Sequence, residues 1–124
     1  MRDFQKPERS EVFSSNGMIA TSHPLAAKIG LDAMSKGGNA IDAAITSALM
    51  LVLCEPQSTG LFGDAFAINK TKKSKNIFGL NGSGRAPMNL TSDTLLSKNI
   101  EKIPLNSAHS VTVPGAVSLF EEVA

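Results

Sequence analysis

The sequence predicts a mixed α/β chain of the α+β kind. Three observations point there. Two helix-period stretches lie side by side from Pro24 and from Ala40, an alternating stretch at 64–69 is followed by a second short strand, and glycine-rich loops separate these pieces.

The first helix begins at a clear start signal. Gly17 to Thr21 reads as a short strand feeding into it, with Ser22 or His23 as the cap. Pro24 suits the first helical turn, where a missing N–H costs nothing. Leu25, Ile29, Ala33 and Met34 continue the apolar period until Gly37-Gly38 stops it. Ala26, Ala27, Gly30 and Ala33 are small, a pattern that admits a second backbone at close range.

Asn39 caps the second helix, and Asp42 stands in its first turn, facing the orphan N–H groups and the positive end of the helix dipole. Ile41, Ala44, Ile45, Ala48, Leu49, Leu51 and Val52 occur all round it, so a central, widely covered helix is expected. Glu55-Pro56 ends it, because a residue before proline avoids the helical region.

Residues 57–63, QSTGLFG, form a glycine-punctuated loop. Asp64 to Asn69 alternates like a strand, and with Asn76 to Leu80 it makes a β-hairpin whose tip carries Lys70, Lys72, Lys73 and Lys75. Turn-forming Asn69, Thr71 and Ser74 among those lysines favour a solvated tip. Asn81 to Pro87 then reads as a loop, Ser92 to Lys98 as a helix capped by Thr91, and Ser110 to Val113 as a strand. From Val117 to Ala124 an apolar-periodic helix begins without a closing signal, so the chain is expected to stop inside it. The organisation expected is a polar leader over 1–16 and one structural unit over 17–124.

Composition narrows the function classes. A net charge of +1 gives little long-range attraction for a polyanion, and the few Phe residues are not interleaved with Arg or Lys, so no nucleic-acid partner is expected. The leader holds no apolar run, which speaks against a secretory signal and for a cytoplasmic protein. The longest apolar run, Ala40 to Leu53, is interrupted by Asp42, Thr46 and Ser47 and is too short to span a membrane. The single cysteine, Cys54, is expected to be a small buried apolar residue, and His23 and His109 share no ligand spacing with it, so neither a metal nor a cofactor is expected. Gly60-Leu-Phe-Gly63 and Gly82-Ser-Gly84 match neither the P-loop nor the dinucleotide fingerprint, and Ser83 lacks the flanking glycines of a nucleophile elbow.

Five segments in order carry more than any one alone. They are GMIATSHPLAA at 17–27, GGNAIDAAI at 37–45, EPQSTGLFGDAF at 55–66, LNGSGRAP at 80–87 and SVTVPGAV at 110–117. Together they resemble the beginning of the large subunit in the gamma-glutamyltranspeptidase family of N-terminal nucleophile amidohydrolases and transferases. The resemblance implies a four-layer αββα sandwich, present here in its N-terminal part, formed from a precursor that cuts itself in two. It also implies a threonine at the new N-terminus that attacks an amide with its own α-amino group as base, backbone donors for the oxyanion, and water or an amine as acyl acceptor. That threonine belongs to the C-terminal half of the precursor, which becomes the expected protein partner. No catalytic residue is therefore assigned within these 124 residues. Ser107, His109 and Thr112 only faintly resemble the cleavage segment and are read as structural.

Members acting on glutathione carry an arginine for the glutamyl α-carboxylate in a segment like D-x-R-E-x-A-P. Ser83 stands in that arginine's column here, and the loop's arginine is Arg85, two residues later. The NGSGRAP form looks more like the non-glutathione, oxamate-hydrolase-like branch. Ser83 and Arg85 are the candidate substrate-binding residues, for a small carboxylate-bearing amide that is gamma-glutamyl or oxamate-like. Guanidinium geometry suits a two-pronged grip on a carboxylate. The alternative for Arg85 is a structural ion pair, for example with Asp64. The alternative for the whole chain is an inactive family member serving as a scaffold or interaction module.

Overall fold

The computed structural model describes residues 11–124, so the leader expected over 1–16 falls mostly outside them. Helix α1 spans Pro24–Ser35 and α2 spans Ala40–Cys54. Strands β1 (Ala65–Asn69) and β2 (Phe78–Gly82) form a two-stranded antiparallel sheet, followed by the short helix α3 (Ser92–Leu96). A 3-10 turn at Ala108–Ser110 precedes α4 (Ala116–Val123).

The boundaries of α1 and α2 follow from local chemistry. His23 caps α1, its Nδ1 accepting from the Leu25 N–H at 3.2 Å. At the far end Gly37 adopts φ +98, its N–H reaching the Met34 carbonyl at 3.1 Å while the Gly38 N–H reaches that of Ala33 at 3.0 Å. That paired closure needs a left-handed residue, which glycine supplies without a Cβ clash. Asn39 then opens α2 with a reciprocal capping box: its Oδ1 accepts from the N–H groups of Ile41 and Asp42, and its own N–H donates to the Asp42 carboxylate at 2.7 Å. Helix α3 closes as α1 does, with Asn99 at φ 57 in the glycine position and the Ile100 N–H bonded to the Leu95 carbonyl at 3.0 Å.

Helices α1 and α2 pack through their small residues. Ala26 and Ala43 are buried, and a Cβ on Gly30 would run into the Ile19 and Ser47 side chains. Buried Ser47 donates its hydroxyl to the Ala26 carbonyl at 2.9 Å, so the close approach leaves that polar group satisfied. The expectation of a widely covered α2 is not met among the described residues. Its buried positions, Ala43 and Ser47, are small ones on the side toward α1, whereas Leu49 is 47% and Leu53 is 77% exposed. Cys54, expected to be buried, is only half-buried at the helix end.

The hairpin pairs Ala65 with Gly82 and Asn69 with Phe78. The second strand therefore lies two residues later than expected, and Asn81 and Gly82 belong to it rather than to the following loop. Helix α4 packs on both strands and buries Leu119 beside Gly82. The other face of β1 stays open, with Phe66 at 69% and Ile68 at 83% exposed. A groove of about 880 Å³ runs between α2, β1 and α4, lined by Ile41, Ile45, Phe66, Ile68, Phe120 and Val123, with Lys70, Lys72 and Lys73 at its rim.

Two expected strands are extended but unpaired among the described residues. Residues 17–21 run along α1 and α2 without a ladder partner. Ser110 belongs to the 3-10 turn, which the Val111 N–H closes on the Ala108 carbonyl at 3.3 Å, and the segment after it reaches the bend after β2 through the Val113 N–H, which donates to the Arg85 carbonyl at 2.9 Å.

Candidate functional site

Ser83 and Arg85 fall on the bend that leaves β2, where three stretches of chain meet. The Ser83 N–H donates to Asn81 Oδ1 at 2.9 Å, an Asx-type turn that starts the bend. The next N–H, of Gly84, donates to Asp64 Oδ1 at 2.7 Å, and the Thr112 hydroxyl donates to the same oxygen at 3.4 Å. The Arg85 carbonyl takes the Val113 N–H. One residue before Asp64, the Gly63 carbonyl accepts both Gly115 N–H at 3.1 Å and Ala116 N–H at 3.0 Å, fixing the entry to α4.

This packing demands glycine at the crossing. A Cβ on Gly84 would collide with the Val113 carbonyl and the Thr112 side chain, and one on Gly115 would meet the Gly82 carbonyl. The glycines of this site thus admit a neighbouring backbone rather than a phosphate.

Ser83 and Arg85 line one cleft of about 420 Å³, together with Asn81, Pro114, Ser118 and Glu122. Arg85 is exposed. The single ion pair among the described residues is Lys28–Asp32 on the surface of α1, so the Arg85–Asp64 pair considered from the sequence is not formed. Asp64 serves backbone and hydroxyl donors instead. His23 is occupied as the α1 cap, and no three His, Cys, Asp or Glu side chains among the described residues converge to hold a metal.

The sequence offers Asp64 only as an ion-pair partner for Arg85, reads Thr112 as structural and gives Glu122 no role, whereas the structure brings all three to this bend or its cleft. For Asp64 the usable signal was the hairpin register: pairing Ala65 with Gly82 sets Asp64 across from Ser83 and beside Gly84. A strand ending at Leu80 hides that relationship.

The gamma-glutamyltranspeptidase profile matches residues 26–124. The chain belongs to the gamma-glutamyltranspeptidase family. It is 39% identical over 111 residues to the glutathione hydrolase proenzyme of Bacillus subtilis (strain 168), covering 86% of this chain and 19% of that protein. In three dimensions it matches cephalosporin acylase from Bacillus halodurans with a TM-score of 0.87 at 48% identity, over 98% of this chain and 23% of that one. It also matches Helicobacter pylori gamma-glutamyltranspeptidase with a TM-score of 0.80 at 28% identity, over 92% of this chain and 33% of that one. The chain thus spans about a fifth of the curated relative and up to a third of the solved ones. The helices and antiparallel hairpin are the N-terminal part of the family's N-terminal nucleophile hydrolase fold. No helix among the described residues is long and apolar enough to cross a membrane.

Proposed function

We propose that these residues are the large-subunit beginning of an amide hydrolase or acyltransferase, supplying scaffold and one substrate-facing loop. The nucleophile in this reading is a threonine in the C-terminal half of the same precursor. Its hydroxyl attacks the amide carbon while its α-amino group takes the proton; the C–N bond then breaks, the amine leaving with that proton, and the acyl-threonine ester passes to water or to an acceptor amine. The role of the present chain is to hold the substrate so that attack is close to intramolecular.

One observation carries this reading: Arg85 lines an open cleft without an ion-pair partner among the described residues, on a loop whose backbone is tied at the Gly84 N–H and at the Arg85 carbonyl. A guanidinium so presented suits the carboxylate of a small amide, gamma-glutamyl or oxamate-like, with the Ser83 hydroxyl as a further hydrogen-bonding group. Ser83 in the glutathione-type arginine column favours the second kind of substrate. The proenzyme and acylase names of the relatives agree with amide chemistry on a processed precursor. The open apolar groove beside α2 and β1 agrees with a second polypeptide covering it.

Replacing Arg85 with Ala in the assembled enzyme should raise KM for carboxylate-bearing amides by the equivalent of about 1 to 3 kcal/mol while kcat changes little. An unchanged KM would assign Arg85 to the surface.

A further inference from the structure

The carboxylate of Asp64 stands at the point where the substrate-facing bend is attached to the rest of the molecule. Its Oδ1 receives the Gly84 N–H, immediately before Arg85, and the Thr112 hydroxyl, immediately before the residue whose N–H holds the Arg85 carbonyl. The two chain segments that flank Arg85 therefore share one acceptor. Gly84 has no Cβ to brace it, and the space a Cβ would need is filled by Thr112 and Val113. Without that acceptor the Gly84 N–H loses its partner, and the bend keeps the local Asn81–Ser83 turn and, as its tie to another segment, the Val113–Arg85 bond.

We propose that Asp64 is the positioning residue for Arg85: through Gly84 and Thr112 it fixes the bend so that the guanidinium is held over the cleft. Asp64 does not touch substrate in this assignment and acts only through the loop. The assignment rests on the reading of Arg85 as the carboxylate grip. A charged acceptor makes shorter and stronger bonds to N–H and O–H than a neutral one, which suits a loop with so little side-chain packing.

The test is a cycle of Asp64→Ala, Asp64→Asn, Arg85→Ala and the Asp64→Ala/Arg85→Ala double variant in the assembled enzyme. Kinetics are measured with one carboxylate-bearing amide and its uncharged analogue. Asp64→Ala should raise KM for the carboxylate substrate about tenfold, with kcat and the uncharged analogue little changed, because the charged acceptor of the Gly84 N–H and the Thr112 hydroxyl is lost. Asp64→Asn keeps an Oδ1 acceptor and should recover most of that loss. In the Arg85→Ala background, removing Asp64 should add nothing, the signature of two residues acting through one contact. An Asp64→Ala effect of equal size with and without Arg85 overturns the proposal. An unchanged KM in Arg85→Ala overturns the carboxylate-grip reading instead, and the clamp is then judged alone by amide exchange in the assembled enzyme. Faster exchange at Gly84 in Asp64→Ala, largely restored in Asp64→Asn and with α2 amides unchanged, supports the clamp, and unchanged exchange at Gly84 in Asp64→Ala refutes it.

Discussion

Asp64 Oδ1 accepts the Gly84 N–H at 2.7 Å across twenty residues of sequence, and that bond joins the entry of the hairpin to its exit. Around it the backbones of the Gly63, Gly84 and Gly115 segments approach closely enough that a side chain on Gly84 or Gly115 has no room. Gly84→Ala should therefore destabilise the chain by about 1 to 3 kcal/mol, the usual cost of forcing an extra carbon into filled space. Urea unfolding followed by circular dichroism measures this. A midpoint equal to that of the parent would mean the crossing is looser than described.

The helix pair makes a separate prediction. Gly30 lies where α1 meets Ile19 and Ser47, and Ser47 satisfies its hydroxyl on the Ala26 carbonyl. Gly30→Leu should push the helices apart and cost more than Ser47→Ala, which loses a single neutral hydrogen bond of about 1 kcal/mol. If thermal melts rank the two variants the other way, small-residue packing is not what holds this pair together.

The capping box at the start of α2 is the third place where one substitution has a defined cost. Asn39→Ala removes the acceptor for two N–H groups and should lower stability by about 0.5 to 2 kcal/mol. Asp42→Ala removes the reciprocal bond to the Asn39 N–H. The double variant should lose less than the sum of the singles, since both serve one turn. Strict additivity in denaturant titrations would contradict a reciprocal box.

How much of this was legible beforehand follows the range of the interactions. His23-Pro24, Gly37-Gly38, Asn39 with Asp42, Thr91 and Glu55-Pro56 act within a turn of themselves, and the helix ends they specify are the ones found. Strands depend on partners: residues 17–21 and 111–113 have strand-like sequences but no ladder among the described residues, so they are merely extended. The end of β2 depended on Ala65 pairing with Gly82, a contact seventeen residues apart that no local pattern encodes. The site divides the same way. Ser83 and Arg85 were visible as a polar bend in a family motif, whereas the role of Asp64 depends on the fold bringing 64, 84 and 112 together. The wide burial expected of α2 came from its apolar composition, which reports what a helix prefers to meet rather than what covers it here.

In the proposed function these residues form a substrate-holding scaffold, and a threonine in the other half of the precursor supplies the chemistry. Amide hydrolysis by the purified 124-residue chain, measured alone and after co-refolding with the separately produced threonine-bearing half, tests it most directly. The predicted result is no turnover above buffer for the chain alone, and turnover in the mixture that is lost when that threonine is replaced by Ala. Hydrolysis by the chain alone would contradict the account.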